Sequence, residues 1–235
     1  MKVNEIFKSI EGEGMHAGKV TTFIRLQGCN LKCLYCDTQH AGDSEGGTQM
    51  SRPTIMSRAI CNFSNHVSIT GGEPLLHEEL PKLVVRLLRE YRTVHIETNG
   101  SISIPEFFKK VQEHAARTVA ILLLKKFLTF SIDYKLPSSG HEMQMLAENF
   151  EYAAANSDTC SVKFIAGTQE DLWQICDVIR EYKLEKCFVG PAFQQLDPQE
   201  IVNWLVNLQD KDVQGALRLQ LQLHKIIWDP EKRGV

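Results

Sequence analysis

Cys29, Cys33 and Cys36 fall within the stretch QGCNLKCLYCDT, a C-x-x-x-C-x-x-C spacing. Three thiolates so close in sequence can converge on one side of a loop and hold three irons of a cuboidal iron–sulfur cluster. A cluster held wholly by protein takes four cysteines, so a set of three leaves one iron open for chemistry. The competing reading is a zinc knuckle, which needs a fourth Cys or His at short spacing. His40 stands four residues beyond Cys36 and keeps that reading open at the level of the loop alone.

A second chemical segment is Val67-Ser-Ile-Thr-Gly-Gly-Glu-Pro-Leu-Leu76. It reads as a short β-branched strand running into a glycine turn. Gly71 and Gly72 let backbone approach a ligand with no Cβ between them. Glu73 can accept from an ammonium group, and Pro74 suits the start of a helix. A plain strand-to-helix connection is the rival reading.

Composition narrows the field. The chain has 235 residues, long enough for one α/β domain with a large core, and no Pro/Gly/Ser-rich linker divides it. A single domain over residues 1–235 is therefore expected. Lys plus Arg number 26 against 29 Asp plus Glu, a net charge of −3, so no general basic field draws nucleic acid. The most apolar run, Val119–Phe130, is broken by Lys125 and Lys126 and is too short to span a bilayer. The first residues, MKVNEIFKSIEGEG, lack an apolar signal core, so a cytoplasmic location is expected. Seven cysteines there argue for metal ligation or buried thiols over disulfides. Cys61, Cys160, Cys176 and Cys187, in apolar surroundings, read as core thiols.

Strands alternate with helices along most of the chain. The expected strands are Thr21–Leu26, His66–Thr70, Thr93–Glu97, Leu128–Tyr134, Ser161–Ile165 and one opening at Cys187–Gly190. The expected helices are Thr54–Phe63, Glu78–Tyr91, Pro105–Ala116, Glu142–Ala155, one from the Thr168–Asp171 capping box to Tyr182, and one from Asp197 to about Gln209. Six βα units predict a parallel sheet curled into an open partial (βα)6 TIM-like barrel, short of the eight units of a closed one. The motif-bearing segments fall just after strand C-termini, where ligands sit in such folds.

The cysteine spacing together with the Gly-Gly-Glu-Pro turn resembles the radical S-adenosylmethionine (SAM) enzymes. Their glycine turn approaches the methionyl group of SAM, and their cluster binds it through the open iron. The flanks resemble, more narrowly, the 7-carboxy-7-deazaguanine synthase family. These are Phe7-Lys-Ser-Ile-Glu-Gly-Glu-Gly14, Arg25, Cys36-Asp-Thr38, Glu97-Thr-Asn-Gly100, Asp133-Tyr-Lys-Leu-Pro-Ser-Ser139 and Leu221-Gln-Leu-His-Lys-Ile-Ile-Trp228. The family converts 6-carboxy-5,6,7,8-tetrahydropterin to 7-carboxy-7-deazaguanine with loss of ammonia, toward deazapurines such as queuosine.

That resemblance implies a 4Fe–4S cluster on Cys29, Cys33 and Cys36, SAM contacts from Tyr35, Asp37, Gly72, Glu73, Asp133 and Lys135, and Mg²⁺ on Thr38. It implies substrate contacts from Ile10, Glu11, Gly12, Glu13, Arg25, Thr70 and His224, with the N-terminal segment and C-terminal tail closing the site. Arg25 suits a carboxylate because its guanidinium can donate two parallel hydrogen bonds. Many relatives carry Gln where this chain has Glu11. Structural alternatives stand beside each role: a solvated acidic turn for EGEG, a salt-bridging Arg25, a loop cap for Thr38, an Asp133–Lys135 ion pair, and a core His224 in a strand-like tail. Expected partners are the pterin, a donor such as flavodoxin or ferredoxin, and a second copy of the chain in a homodimer. No direct contact with nucleic acid or membrane is expected.

A glycyl-radical-enzyme activase shares the cysteine spacing and glycine turn but has no use for Arg25, Thr38 or the tail. A non-catalytic metal module has no use for GGEP, ETNG and DYK at successive strand ends. Two segments depart from the expected pattern: Ala116–Phe130, long and apolar for a link, and Gly190-Pro-Ala-Phe193, an unusual strand exit.

Overall fold

The computed structural model describes residues 1–91, 93–115 and 121–235, without the side chains of 121–123. In chain order the elements are β1 (Lys2–Ile10), β2 (Val20–Leu26), β3 (Thr48–Gln49), α1 (Arg52–Cys61), β4 (His66–Gly71), α2 (Leu80–Glu90), β5 (Thr93–Thr98), α3 (Ile104–Ala115) and α4 (Ile121–Phe127). There follow β6 (Leu128–Tyr134), α5 (Ala147–Ala155), β7 (Cys160–Ala166), α6 (Gln169–Tyr182), β8 (Cys187–Pro191), α7 (Pro198–Asn207), α8 (Lys211–Ala216), β9 (Leu217–Leu219) and α9 (Leu223–Ile227).

One sheet carries the order β3-β1-β2-β4-β5-β6-β7-β8-β9. From β2 to β9 each neighbour runs parallel, as the alternation of strands and helices requires. The sheet is thus an open partial barrel, extended beyond the six expected units. β9 adds a seventh parallel strand at one edge. At the other edge β1 and β3 add an antiparallel pair, β1 lying on β2 with Ile6 opposite Ile24 and Phe7 opposite Phe23. β1 reads poorly as a strand in sequence because the acidic EGEG run that follows it at residues 11–14 has the composition of a turn.

The two faces of the sheet differ in chemistry because strand side chains alternate. One face carries Ile24, Val67, Ile69, Val94, Ile96, Phe130, Ile132, Val162 and Phe164, each no more than 1% exposed, in the core shared with the helices. The positions between them are Arg25, Ser68, Thr70, His95, Glu97, Thr129, Ser131, Asp133, Ser161 and Lys163. A barrel lined this way holds polar groups where a closed TIM barrel holds branched aliphatics.

Some expected boundaries move for tertiary reasons. α5 opens at Ala147, not Glu142, because Glu142–Gln144 form a separate 3₁₀ turn and Met145 and Leu146 are extended. Asn149 in its first turn ties it to the loop before α3, its Nδ2 donating to the carbonyls of Gly100 (2.8 Å) and Ile102 (2.9 Å) and its Oδ1 accepting from the Ile104 amide (2.8 Å). The capping box of α6 forms as read, Thr168 with Asp171. The apolar run at 116–130 lies partly outside the described residues; from Ile121 it is α4 followed by β6. Cys160, Cys176 and Cys187 are buried, whereas Cys61, at the end of α1, is exposed and not the core thiol its apolar neighbours suggested. Among the described residues no helix is long and apolar enough to cross a membrane.

Candidate active site

A cavity of about 690 Å³ opens at the C-terminal ends of the parallel strands. The loop leaving β2 forms one wall and brings Cys29, Cys33 and Cys36 onto it, all free and partly exposed. The loop is pinned at its base, where the Gly28 and Cys29 amides donate to the carbonyls of Ala41 (2.8 Å) and Gly42 (3.0 Å). Farther along, the Leu34 amide donates to the Ser139 carbonyl (3.3 Å) and the Lys32 amide to His141 Nε2 (3.0 Å). Burial raises the Cys29 and Cys33 thiols, so loading a metal centre there must displace protons.

His40, the fourth ligand a zinc knuckle requires, borders the same cavity as the three thiols. The charges acting on its ring are those of Arg233, Arg25, Glu5 and Asp37. Among the described residues no three His, Cys, Asp or Glu side chains are gathered around one metal-ion position.

The glycine turn departs from its expected part. A Cβ on Gly71 would meet the Leu26 carbonyl oxygen at 2.1 Å, and one on Gly72 the Gly28 carbonyl oxygen at 2.3 Å. The demand for glycine comes from the protein's own backbone at the root of the cysteine loop, although both residues also border the cavity. Glu73 is fully buried and does not line the cavity. Its carboxylate accepts from the Leu75 amide (2.9 Å), Thr98 Oγ1 (2.9 Å) and the Asn99 amide (2.6 Å). Burial raises its carboxyl to about 7 against the pull of those donors. Glu73, expected to contact SAM, spends its carboxylate on clamping two turns together.

The other expected residues all border the cavity. Tyr35 Oη donates to the Ile165 carbonyl (3.1 Å). Asp133 pairs with Lys135 (2.8 Å) and Lys163 (3.2 Å), and Lys163 pairs with Glu13 (2.8 Å). Burial alone would raise the Asp133 carboxyl, and the two lysines outweigh it and hold it low. The ion-pair alternative for Asp133 and Lys135 is thus realised, with Lys163 as an unforeseen third member. Thr38 begins a short 3₁₀ turn without capping it through its hydroxyl, which lies 3.7 Å from Cys36 Sγ. The loop-cap alternative for Thr38 is not what forms.

Glu11 is 3% exposed, with no hydrogen-bond partner at Oε2. Burial, then the nearby charge of Glu97, raises its carboxyl well above the usual range. Glu97 itself accepts from Thr70 Oγ1 (2.8 Å). Arg25 Nε donates to Glu5 (2.8 Å), and the guanidinium lies 5.9 Å from the centre of the Phe7 ring. Glu13 is already engaged, accepting from Gln222 Nε2 (2.6 Å) and Gln220 Nε2 (3.1 Å) as well as Lys163. His224 lies in α9, not in a strand, and packs so closely that a Cβ on Gly12 would meet its Nδ1 at 2.7 Å.

The comparisons with known proteins bear on this arrangement. The radical SAM superfamily profile matches residues 23–175. A 7-carboxy-7-deazaguanine synthase from Clostridium acetobutylicum is 37% identical, over 100% of this chain and 99% of its own length. Its counterpart from Chlorobaculum tepidum is 35% identical, over 100% and 97%. The chain belongs to the 7-carboxy-7-deazaguanine synthase family of the radical SAM superfamily. The crystal structure of QueE from Escherichia coli, at 21% identity, shares the fold with a TM-score of 0.61 over 93% of each chain.

The donor set fits the family's cofactors: three free thiols share one wall of a cavity deep enough for a nucleoside and a second ligand. Sequence reasoning missed Lys163, Gln220, Gln222, Lys225 and Asn99 as site residues. Lys163 left a signal, a lone lysine at an inward position of the strand SVKFI. Gln220 and Gln222 left another, the alternation of LQLQLH. Asn99, whose Nδ2 reaches Cys29 Sγ (3.6 Å) and Asn30 Oδ1 (3.1 Å), left none beyond the turn it was read as.

Proposed function

We propose that this protein is a radical SAM lyase that contracts 6-carboxy-5,6,7,8-tetrahydropterin to 7-carboxy-7-deazaguanine and ammonia, in the biosynthesis of queuosine-type deazapurines. The observation that carries the reading is one cavity shared by Cys29, Cys33 and Cys36 on one wall and by Arg25, Glu11 and Thr70 across from them. A cluster held by Cys29, Cys33 and Cys36, with SAM, would supply radical chemistry at C6 of the pterin.

The chain's own residues bind and orient. Arg25 spends Nε on Glu5, which fixes the plane of the guanidinium and leaves its outer edge for the pterin carboxylate. Glu11, whose carboxyl burial pushes up, turns a buried oxygen with no protein partner toward the amino-pyrimidinone edge. Tyr35, Asp37, Asp133 and Lys135 line the SAM side, and Gly72 offers backbone there. Ile10, Gly12, Thr70 and His224 complete the pterin side. Thr38 Oγ1 would be the chain's ligand to a Mg²⁺ that neutralises charge on the pterin.

A flavodoxin or ferredoxin supplies the electron, and the working species is a cytoplasmic homodimer. Family membership supports the first two, and seven free cysteines suit a reducing compartment. Anaerobic reconstitution with iron, sulfide, SAM and the carboxylated tetrahydropterin tests the whole reading. Ammonia and a deazaguanine chromophore are expected in equal amounts. SAM cleavage without either, or glycyl-radical formation on a co-purified protein, would replace it with the activase reading.

A further inference from the structure

The segment from Gln220 to Lys225 passes from the sheet edge back across the cavity. Its backbone is tied at both sides: the Gln220 amide donates to the Val189 carbonyl (2.8 Å) and the Leu223 amide to the Gly12 carbonyl (3.2 Å). Its side chains meet two different loops. Gln222 Nε2 donates to Glu13 Oε1 on the substrate loop (2.6 Å) and lies within reach of Asp37 Oδ2 on the cysteine loop (3.2 Å). Lys225 Nζ pairs with the same Asp37 oxygen at 2.9 Å, and lies 4.7 Å from the centre of the Phe193 ring. The unusual strand exit Gly190–Phe193 is what puts that ring there.

The packing of α9 is inverted relative to an ordinary surface helix. The Lys225 side chain is 8% exposed, while Ile226 and Ile227 are 64% and 53% exposed. Burying isoleucine is favourable, so apolar burial alone would favour the opposite rotation. Lys225 instead turns inward onto Asp37, whose own side chain is 41% exposed. Asp37 directly follows Cys36, hence whatever orders the cysteine loop also orders the seat of this helix, and with it His224 over Gly12.

We infer that Gln222 and Lys225 are positioning residues that couple the cysteine loop to the pterin side of the cavity: the tail closes on the substrate loop only when Asp37 is held in place. The inference rests on the function proposed above for what the tail closes over, but the coupling itself is a property of the chain. By reciprocity, cluster loading should tighten the tail as much as tail closure favours the loaded loop.

Hydrogen exchange read by mass spectrometry on the full-length protein, cluster-free and reconstituted, tests it without turnover. In the wild type, loading should slow exchange in peptides covering residues 220–228 by about tenfold, within the usual range of coupling between sites. In the double variant Gln222→Ala, Lys225→Met, exchange there should be fast with or without the cluster, at unchanged iron and sulfide content. Lys225→Arg should restore the response. Equal protection of wild-type 220–228 in both states would overturn the inference, and so would a double variant that still responds. Failure of the double variant to load iron would also overturn it, making these residues supports of the loop itself. If the exchange response appears but no deazaguanine forms, the coupling stands and the proposed function falls.

Discussion

Glu73 and Asn99 are joined by a 2.6 Å hydrogen bond from the Asn99 amide to Glu73 Oε2, which binds the turn after β4 to the turn after β5. Asn99 in turn reaches Cys29 Sγ through Nδ2, so the carboxylate supports a cluster thiol at second hand. Glu73→Ala should strand the buried donors of Leu75, Thr98 and Asn99, at about 1–3 kcal/mol for each one left without a partner. Urea unfolding of the cluster-free protein gives the cost. A loss within 0.5 kcal/mol, roughly that of an exposed surface substitution, would show that the clamp is not structural.

Gly72→Ala should fail for a backbone reason. The new Cβ would sit 2.3 Å from the Gly28 carbonyl oxygen and 2.8 Å from that of Ala41, atoms that hold the base of the cysteine loop. Reduced stability by about 1–3 kcal/mol and poor iron loading are expected. Gly215→Ala, with nothing within 4 Å of its Cβ and a place in α8, is the control and should be neutral or stabilising.

Arg25→Ala should weaken the carboxylated pterin by roughly 2–5 kcal/mol, as expected for a buried charged partner, and leave SAM binding nearly unchanged. Calorimetry with carboxylated and uncarboxylated pterins separates the roles. If the variant discriminates between them as the wild type does, Arg25 serves only Glu5.

Thr38→Ala should lose most of the stimulation of turnover by Mg²⁺ yet keep the cluster, since the thiolates are untouched. Thr38→Ser should keep part of it, because an oxygen remains. A site with a single protein ligand is weak without substrate, so SAM binding should need no magnesium. Turnover indifferent to the metal in the wild type would end the assignment.

At the N-terminal end of the barrel, His95 is hydrogen bonded to Thr129 (2.8 Å), which is also 3.2 Å from His16 Nε2. Burial, then the charges of Lys163, His66 and Lys19, lowers His95 from 6.5 to about 3. Between those values the unfolded chain binds a proton that the folded chain does not. Its contribution is complete above pH 6.5 and lost as pH falls toward about 3. The wild-type slope should exceed that of His95→Gln by about 1.4 kcal/mol per pH unit in that window. Urea titrations at about pH 7.5 and about pH 5 should therefore differ by roughly 2 kcal/mol more in the wild type. Parallel pH profiles would show that His95 is not the group responsible.

The sequence by itself determined what rests on local pattern. Cys29, Cys33 and Cys36 carry their meaning in their spacing, because a loop that short has few ways to scatter three thiols. The inner strands were legible from β-branched runs separated by capped helices, and Thr168 with Asp171 marked the start of α6. Only the tertiary structure decided what depends on neighbours far along the chain. Glu73 faces inward because Thr98 and Asn99 bring donors to it from the next strand. Glu13 is filled because Lys163 and two glutamines from the tail converge on it across the barrel. The tail folds as β9 and α9 because Val189 and Gly12 offer their carbonyls and Asp37 draws in Lys225. A lysine buried beneath exposed isoleucines leaves no trace in periodicity, since the ion pair it makes joins residues 37 and 225.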